Sequence, residues 1–284
     1  MNIKTVNLYN WLGKTAPEGA VGRLTCYNSA TSDRVSTNRK KPAVLIMPGG
    51  AYRWTSPREA EPVALRFLAK GYSVFVLEYS CAPFSFPISL REAAAAMAYI
   101  RQNCEEFEVN PDMVAALGFS AGGHLCGTLG TMFDCPEIAD IAAPEIVRPS
   151  ALCLCYPVSV SHGKTHEESF RNISNGDSAL AARLSLDSLI RSDMPPVFLW
   201  HTRDDQSVPV RGSLILAQKF EEAGINFAVH IHRHGQHGLS TADEMVYPTY
   251  AVPETSPNVQ NWLNEAVSFF AECGFKIEDT EETI

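Results

Sequence analysis

Short apolar runs recur along this chain, and longer polar, helix-forming stretches separate them. Six of these runs are almost continuously apolar and lie at residues 43–47, 73–77, 114–117, 151–155, 197–201 and 227–231. Runs of this length without polar alternation are typical of strands that are covered on both faces of a sheet. We therefore predict that they form the strands of a buried, mostly parallel sheet.

Helix signals lie between the predicted strands. Ser56-Pro57-Arg58-Glu59 and Ser89-Leu90-Arg91-Glu92 both place Glu three residues after Ser, which is the capping-box spacing. The first box predicts a helix ending at Gly71. The second predicts a helix reaching about Phe107, before Asn110-Pro111-Asp112 breaks it. Two further helices are predicted at residues 210–223 and 258–273.

Strands that alternate with helices predict an α/β fold with helices on both faces of the sheet. The 284 residues are enough for one large core, and no repeat or linker divides them, so we expect a single domain spanning residues 1–284 with its core at about 40–275. The polar stretch at residues 161–193 is the largest departure from the alternation. It predicts either a small cap over a site or a decorated loop.

Composition narrows the classes of function. The net charge of −9 argues against nucleic acid as a partner, since an acidic surface repels phosphate. No run of 18 apolar residues occurs and the first residues lack an apolar signal core, so we expect a soluble, cytoplasmic protein without a membrane partner. The eight cysteines, without a CxxC pair, predict reduced and mostly structural thiols. A homo-oligomer stays open.

The most informative motif is Gly118-Phe119-Ser120-Ala121-Gly122, which lies where an apolar strand meets a small-residue helix. GxSxG in this position is typical of a nucleophile elbow, a turn so tight that small residues must surround the serine. An ordinary strand-to-helix turn also uses glycine and serine, so the motif alone does not establish catalysis. The partners of Ser120 decide between these interpretations.

A serine hydroxyl needs a base to take its proton and a third group to orient that base. Asp205 lies in the loop after the strand at 197–201, and His237 lies in a glycine-flanked loop after the strand at 227–231. A single Asp or His in a loop is ordinarily a turn or solvated residue. Because all three follow strands of a parallel sheet, in the order Ser, Asp, His, we predict that they meet at one sheet edge as a catalytic triad.

A glycine-rich turn follows the first predicted strand. Backbone N–H groups of Gly50 and Ala51, together with that of Ala121, are the predicted donors of an oxyanion hole. The alternative is that the paired glycines only make a turn. Tyr52 and Trp54 come next and are candidates for substrate binding, or else for simple packing of the loop.

Several other histidines need an interpretation. His230, His232 and His234 alternate along a predicted strand, which raises the possibility of a metal site. No cysteine or carboxylate ligand is indicated near them, and alternating polar residues are common on edge strands, so we predict no metal. We interpret His124 and His201 as buried, hydrogen-bonded histidines rather than second catalytic bases.

Taken together, the turn at residues 48–52, the elbow through Gly123-His124, the Asp-Asp-x-x-Val-Pro loop and the Gly-x-His-Gly loop resemble the α/β-hydrolase esterase family. More closely, they resemble its small bacterial carbohydrate-associated acetyl esterases, often named acetylxylan esterases or esterase/lipases. The similarity covers roughly residues 40–275. One departure is Pro48-Gly49-Gly50-Ala51, where relatives of hormone-sensitive lipase have His-Gly-Gly-Gly, which disfavours the lipase branch.

The resemblance implies Ser120 as nucleophile, His237 as base and Asp205 as orienter, with the three N–H donors named above. It implies two-step acyl transfer on a small-molecule ester, with neither a metal nor an organic cofactor. The implied substrates are short-chain, acetyl-type esters of sugars or xylo-oligosaccharides. The alternatives are another acyl substrate, such as a peptide, lactone or formyl amide, and a non-catalytic binding protein of the same fold.

Overall fold

A sheet of nine strands runs through the residues described by this computed structural model, which are 1–29, 39–255 and 257–279; the end of the expected domain, 280–284, lies outside them. The strands are β1 (Asn2–Asn7), β2 (Arg23–Asn28), β3 (Arg39–Met47), β4 (Ser73–Glu78), β5 (Val109–Phe119), β6 (Ala151–Cys155), β7 (Val197–Thr202), β8 (Phe227–His232) and β9 (Glu278–Asp279). Eight of them lie in the order β1-β2-β4-β3-β5-β6-β7-β8, and β9 pairs with β3.

Strand direction divides the sheet into two parts. β1 pairs with β2 and β2 pairs with β4 in antiparallel fashion, whereas all neighbours from β4 to β8 are parallel. Each of the six predicted apolar runs lies within one of the parallel strands, so the mostly parallel sheet is confirmed. Because parallel strands point the same way, the loops that follow β3, β5, β6, β7 and β8 all emerge at one edge.

The sequence did not reveal β1 and β2. β1 is exposed along most of its length, so it carries no apolar run. Antiparallel edge strands need only one covered face, which weakens their hydrophobic signal. β5 is also longer than predicted: it includes Asn110-Pro111-Asp112, and the register with β3 shifts between Lys41 and Ala43 to admit these residues.

Helices cover both faces of the sheet. They are α1 (Leu8–Trp11), α2 (Glu61–Leu68), α3 (Ile88–Gln102), α4 (Ala121–Thr131), α5 (Pro144–Val147), α6 (Glu167–Ser174), α7 (Ser178–Arg183), α8 (Leu186–Leu189), α9 (Arg211–Glu222) and α10 (Trp262–Glu272). The hydrophobic core on one face includes residues of α1, α3, α4 and α9, and the core on the other includes residues of α2 and α10. Helix α3 ends at Gln102, earlier than the predicted Phe107.

Neither predicted capping box forms. Ser56 makes no side-chain cap hydrogen bond, and Glu59 instead accepts a hydrogen bond from the backbone N–H of Gly49 at 2.8 Å. Glu92 accepts one from the backbone N–H of Ser80 at 2.6 Å. Both carboxylates are buried, and a buried carboxylate is stabilised by tertiary donors that a local pattern does not reveal.

Residues 161–193, here named the cap, contain α6, α7 and α8 rather than an irregular loop. The cap contacts the loops at the C-terminal edge of the sheet. Asn172 donates a side-chain hydrogen bond to Ala51 O at 2.8 Å, and the backbone N–H of Phe86 donates one to Ile173 O at 2.8 Å. Of the two predicted alternatives, the helical cap is the one that the structure shows.

All eight cysteines lie in the described part of the chain and are unpaired thiols. Cys153 and Cys155 share one face of β6, with their sulfur atoms 3.6 Å apart. Among the residues described, none of the helices has the length and apolar character that a membrane crossing requires.

Candidate active site

The elbow joins the end of β5 to the start of α4. Ser120 lies between them with φ 53° and ψ −116°, a conformation that non-glycine residues rarely adopt. A Cβ atom at Gly118 would lie 2.0 Å from Gly122 O, and one at Gly122 would lie 2.1 Å from Met47 O. The two glycines are therefore required for the tight turn that carries Ser120.

The structure brings the three predicted side chains together. His237 Nε2 lies 2.8 Å from Ser120 Oγ, and His237 Nδ1 lies 2.6 Å from Asp205 Oδ2. These residues come from the loops after β5, β7 and β8. Along the sequence, Asp205 follows Ser120 by 85 positions, and His237 follows Asp205 by 32 positions. The prediction that Ser120, Asp205 and His237 lie together at the C-terminal edge of the sheet is therefore confirmed for their positions.

Asp205 is a buried carboxylate with four hydrogen-bond donors. Its Oδ1 accepts backbone N–H groups from Ser207 and Val208, each at 2.9 Å, and its Oδ2 accepts from His237 and from His201 Nε2 at 3.1 Å. Burial raises its pKa, but the hydrogen bonds from His201 and His237 outweigh burial and hold the pKa well below its usual range. Asp205 is therefore ionised at neutral pH.

His201, at the end of β7, is completely buried. Its Nε2 also lies 3.0 Å from Val208 O, and its Nδ1 lies 2.7 Å from Ser213 Oγ. Burial lowers the pKa of His201, so the imidazole is neutral at neutral pH. The prediction of a buried, hydrogen-bonded histidine is confirmed, whereas the contact with Asp205 was not foreseen.

The glycine-rich turn after β3 passes directly beside Ser120. A Cβ atom at Gly49 would lie 2.9 Å from Ser120 Cβ. Gly50 and Ala51 have positive φ angles of 128° and 57°. Within the described residues, the backbone N–H groups of Gly50, Ala51 and Ala121 donate to no protein acceptor. Three donors are thus available beside the serine.

The other polar groups of this turn are occupied. Gly50 O accepts the N–H groups of Arg53 at 2.9 Å and Trp54 at 3.2 Å, and Ala51 O accepts the Asn172 amide. These contacts fix the carbonyl groups of the turn. The N–H groups of Gly50 and Ala51 have no acceptor among the described residues, and successive free N–H groups in a turn can bind an anion.

A buried pair, Glu59 and Tyr156, connects this turn to the histidine loop. Tyr156 donates its hydroxyl proton to Glu59 Oε1 at 2.7 Å and accepts the Ser240 N–H at 2.9 Å, and its ring centroid lies 5.1 Å from that of His237. Burial raises the pKa of Glu59, while hydrogen bonds from Tyr156 and Gly49 oppose this effect. Sequence analysis missed both residues; the position of Tyr156 directly after β6 was the available signal.

Tyr52 does not lie where its predicted role requires. It is 2% exposed, and its hydroxyl donates to His124 Nδ1 at 2.8 Å, while His124 Nε2 donates to Leu184 O of the cap at 2.8 Å. Burial lowers the pKa of His124 to about 4, so the prediction of a buried, hydrogen-bonded histidine is confirmed, and the structure adds that this neutral ring links α4 to the cap. Tyr52 packs in the interior, whereas Trp54 is 53% exposed beside the turn.

The cap also contributes a histidine that sequence analysis missed. His166 precedes α6, and its Nδ1 accepts the Ser169 N–H at 3.3 Å. The pKa of His166 is lowered, first by burial and then by the positive charge that His237 can carry. The imidazole is therefore close enough to the site for the two charges to interact.

His230 and His232 lie on β8, which is an edge strand of the sheet, whereas His234 lies in the loop after it, so the three histidines do not share one strand as predicted. His230 Nδ1 lies 3.2 Å from Glu265 Oε2, and His234 Nδ1 lies 3.0 Å from Asp204 Oδ2, so carboxylates do lie nearby, contrary to the sequence analysis. Even so, no group of three His, Cys, Asp or Glu side chains in the described ranges has the geometry of a metal site.

The chain matches the BD-FAE family over residues 33–220. It is 32% identical to endo-1,4-beta-xylanase B of Butyrivibrio fibrisolvens over 266 residues, which are 90% of this chain and 40% of that protein. It is 27% identical to an acetylxylan esterase of Xylanibacter ruminicola over 229 residues, 78% of this chain and 45% of that one. The chain therefore spans less than half the length of these relatives.

A solved structure extends the similarity to the whole fold. The acetyl ester-xyloside bifunctional hydrolase of Caldicellulosiruptor lactoaceticus is 31% identical, covers 96% of this chain with 97% of its own, and superimposes with a TM-score of 0.80. The strand order, the GxSxG elbow and the similarity to these relatives all indicate the same family. The chain therefore belongs to the BD-FAE family, in the acetyl esterase-like branch of the α/β-hydrolase carboxylesterases.

Proposed function

We propose that this chain hydrolyses short-chain acyl esters, acetyl esters of sugars above all, with Ser120 as nucleophile, His237 as general base and Asp205 as the residue that orients the base. The observation that carries the proposal is the unbroken hydrogen-bond path from Ser120 Oγ through His237 to Asp205, with distances of 2.8 and 2.6 Å. Contacts of this length allow proton transfer without rearrangement.

In the first step, Ser120 Oγ attacks the ester carbonyl while His237 Nε2 takes the hydroxyl proton. Asp205 accepts a hydrogen bond from His237 Nδ1, which keeps the ring proton on Nδ1, leaves Nε2 free to accept the serine proton and stabilises the imidazolium. The C–O bond to the alcohol then breaks, and His237 returns the proton to the leaving oxygen. An acyl-serine and a free alcohol result.

The carbonyl oxygen becomes negative in the tetrahedral intermediate. The N–H groups of Gly50, Ala51 and Ala121, which have no acceptor in the described part of the chain, are the donors that we assign to it. Such donors act most strongly when they are fixed in advance, and removing one typically costs about 10²–10³ in rate. The bonds that hold the carbonyl groups of the turn supply this rigidity.

In the second step, water takes the place of the alcohol. His237 removes a proton from the water, the resulting hydroxide attacks the acyl carbon, and Ser120 Oγ leaves with the proton from His237. The acid is released and the resting site is restored. Ser120, His237 and Asp205 therefore act in both steps of the cycle.

The substrate class is supported by two observations. Two of the relatives have names that include acetylxylan or acetyl ester-xyloside, and both align with most of this chain. A cavity of about 390 Å³ is lined by Arg53 and Trp54, which follow the oxyanion turn, and by Glu78 and Phe84 among others; its lining does not include the residues of the triad. Trp54 is exposed, and an exposed aromatic ring beside charged groups suits sugar rings, which have apolar faces and polar edges. We therefore assign Trp54 to the alcohol side of the ester.

The proposal is tested with purified Ser120→Ala, p-nitrophenyl esters of increasing chain length and acetylated xylo-oligosaccharides. We expect the parent chain to favour acetyl esters, and Ser120→Ala to lose turnover while its circular dichroism spectrum is unchanged. Because a fluorophosphonate reacts with an activated serine, it should label the parent and not the variant. Turnover retained by a folded Ser120→Ala would exclude this mechanism, and lack of labelling would favour a binding protein.

The panel of substrates also separates the alternative acyl substrates. Turnover of lactones, formyl amides or peptides with little hydrolysis of acetyl esters would keep the serine mechanism and change the substrate.

A cytoplasmic location remains part of the proposal, since eight unpaired thiols suit a reducing compartment.

A further inference from the structure

His201 lies behind the catalytic carboxylate, and the mechanism above gives it no role. Its Nε2 faces two groups that can only accept hydrogen bonds, Asp205 Oδ2 at 3.1 Å and Val208 O at 3.0 Å. Nε2 must therefore carry a proton. Since His201 is completely buried, this hydrogen bond exchanges with no solvent water.

Ser213, near the start of α9, fixes the other side of the ring. Its Oγ lies 2.7 Å from His201 Nδ1 and is itself fully buried. In a neutral imidazole with its proton on Nε2, Nδ1 is an acceptor, so the Ser213 hydroxyl donates to it. The β7 strand, its following loop and α9 are thus joined through a single imidazole in one tautomer.

The resulting path is symmetric about the carboxylate. A serine and a histidine approach Asp205 from each side, and the complete series is Ser213, His201, Asp205, His237 and Ser120. The two backbone N–H groups on Asp205 bond to Oδ1 alone. Apart from His237 itself, His201 is the described donor that holds Oδ2, the oxygen used in catalysis.

We propose that His201 is a positioning residue for ester hydrolysis: its Nε2–H aligns Asp205 Oδ2 with His237 Nδ1 and shares the negative charge of that oxygen. The inference rests on the proposed function above. An oxygen that accepts two N–H groups offers less electron density to each of them. Asp205 then orients His237 firmly without binding its proton so strongly that transfer to the leaving alcohol is slowed.

Other charged groups act on the same imidazole from different elements. His166 approaches from the cap, Glu59 lies under Tyr156 after β3, and both interact electrostatically with His237. Neither makes a hydrogen bond to Asp205 in the structure. A change at His201 should therefore reach His237 through Asp205, with these two groups unchanged.

Two amide variants separate positioning from packing. In His201→Gln the amide nitrogen reaches the position of Nε2 and can donate to Asp205 Oδ2, whereas in His201→Asn it reaches only the position of Nδ1. We expect kcat of the Gln variant within about threefold of the parent and kcat of the Asn variant lower by about 10–100-fold, the usual effect of a lost hydrogen bond to a charged group. KM for p-nitrophenyl acetate should change little in both.

The pH dependence supplies a readout that packing does not move. Without the His201 donor, the full charge of Asp205 Oδ2 acts on His237 and stabilises its protonated form. The acidic limb of kcat/KM should therefore shift to higher pH by about half a unit or more in His201→Asn and not in His201→Gln. The downfield proton signal of the bond between His237 and Asp205 in ¹H NMR should change in the same variant.

Leu199→Ala is the matched control, because Leu199 is equally buried on β7 and belongs to the hydrophobic core rather than to this path. It should lower stability and leave the pH profile in place. Equal losses in Leu199→Ala and His201→Asn, with an unmoved acidic limb, would overturn the inference. If the Asn variant does not fold, Ser213→Ala decides, since it frees the ring of His201 to rotate: a wild-type kcat and pH profile there would also overturn it.

These results are independent of the test of the proposed function. If Ser120→Ala is inactive and the His201 variants behave like Leu199→Ala, the esterase proposal stands and only the role of His201 fails. If Ser120→Ala retains turnover, the proposed function fails first.

Discussion

Two consecutive aspartates, Asp204 and Asp205, each bond a histidine of the same loop, and their surroundings differ. Asp204 Oδ2 lies 3.0 Å from His234 Nδ1, with 39% and 51% of the two side chains exposed. Asp205 Oδ2 lies 2.6 Å from His237 Nδ1, with exposures of 0% and 20%. The sequence presents two similar Asp–His pairs, and burial distinguishes them.

The exposed pair, Asp204 and His234, is here named the outer pair, and the buried pair, Asp205 and His237, the inner pair. The outer pair shapes the loop, and the inner pair belongs to the site. Asp204 Oδ1 accepts the Gly235 N–H at 2.8 Å, so this carboxylate holds the turn that leads to His237. The hydrogen bond from His234 is the largest cause of the lowered pKa of Asp204. In water such a pair contributes little, whereas a desolvated pair with further donors is strongly directional. Both pairs are hydrogen bonds between an aspartate and a histidine, and their different exposure to water gives them different roles.

The largest expected effect separates the two carboxylates by activity. Asp205→Asn should lower kcat by about 10³–10⁴, because its single amide oxygen cannot serve both the backbone N–H groups of the loop and the two histidines, and an NH₂ group facing His237 favours the wrong tautomer of the base. Asp204→Asn, the matched control, keeps an oxygen for the Gly235 N–H and should change kcat by less than about threefold. Steady-state hydrolysis of p-nitrophenyl acetate measures both. Similar losses in the two variants would show that the comparison is wrong.

A smaller effect extends the contrast between interior and surface to His124. Burial lowers its folded pKa from 6.5 to about 4, so between these values the unfolded chain binds more protons than the folded chain. The free energy of unfolding should therefore fall as pH drops from about 6.5 to about 4, by up to about 3 kcal/mol from this group. Urea titrations across this range should show a flatter dependence in His124→Gln.

Tyr52→Phe is the control for this measurement. It removes the hydroxyl that donates to His124 but keeps the buried imidazole, so it should lower stability while the pH dependence persists. A His124→Gln variant with the full dependence of the parent would assign the effect to other groups.

The smallest expected effect concerns the outer pair itself. A double-mutant cycle of Asp204→Asn and His234→Ala should give a coupling energy below about 1 kcal/mol. Because both side chains are exposed, the coupling should decrease further in 1 M NaCl. Thermal or urea unfolding measures it. A coupling that is large and insensitive to salt would mean that the outer pair is shielded from water like the inner one.

The sequence carried the parallel sheet and the three residues of the hydrogen-bond path, because each signal was local. An apolar run predicts a buried strand, and the residues after such strands, Ser120, Asp205 and His237, must emerge at one edge. β1 and β2 had no comparable signal, since antiparallel strands near the edge of a sheet do not need continuous apolar runs.

The second layer of the site was not predictable in the same way. Glu59 fits a capping box by spacing, yet its carboxylate bonds Gly49 and Tyr156, which lie 10 and 97 positions away. Tyr52 follows the oxyanion turn, yet its side chain faces His124 rather than the surface. Local spacing fixes neither the direction of a side chain nor its distant partner.

By itself the sequence determined the fold class, the parallel strand ends and the order of the three site residues, since hydrophobic period and small-residue turns act over a few positions. The tertiary structure alone decided which of two adjacent aspartates is buried, which histidine supports it and which carboxylate anchors the oxyanion turn. Burial and hydrogen bonding between distant segments are properties of the assembled fold, because water is excluded only when those segments pack together.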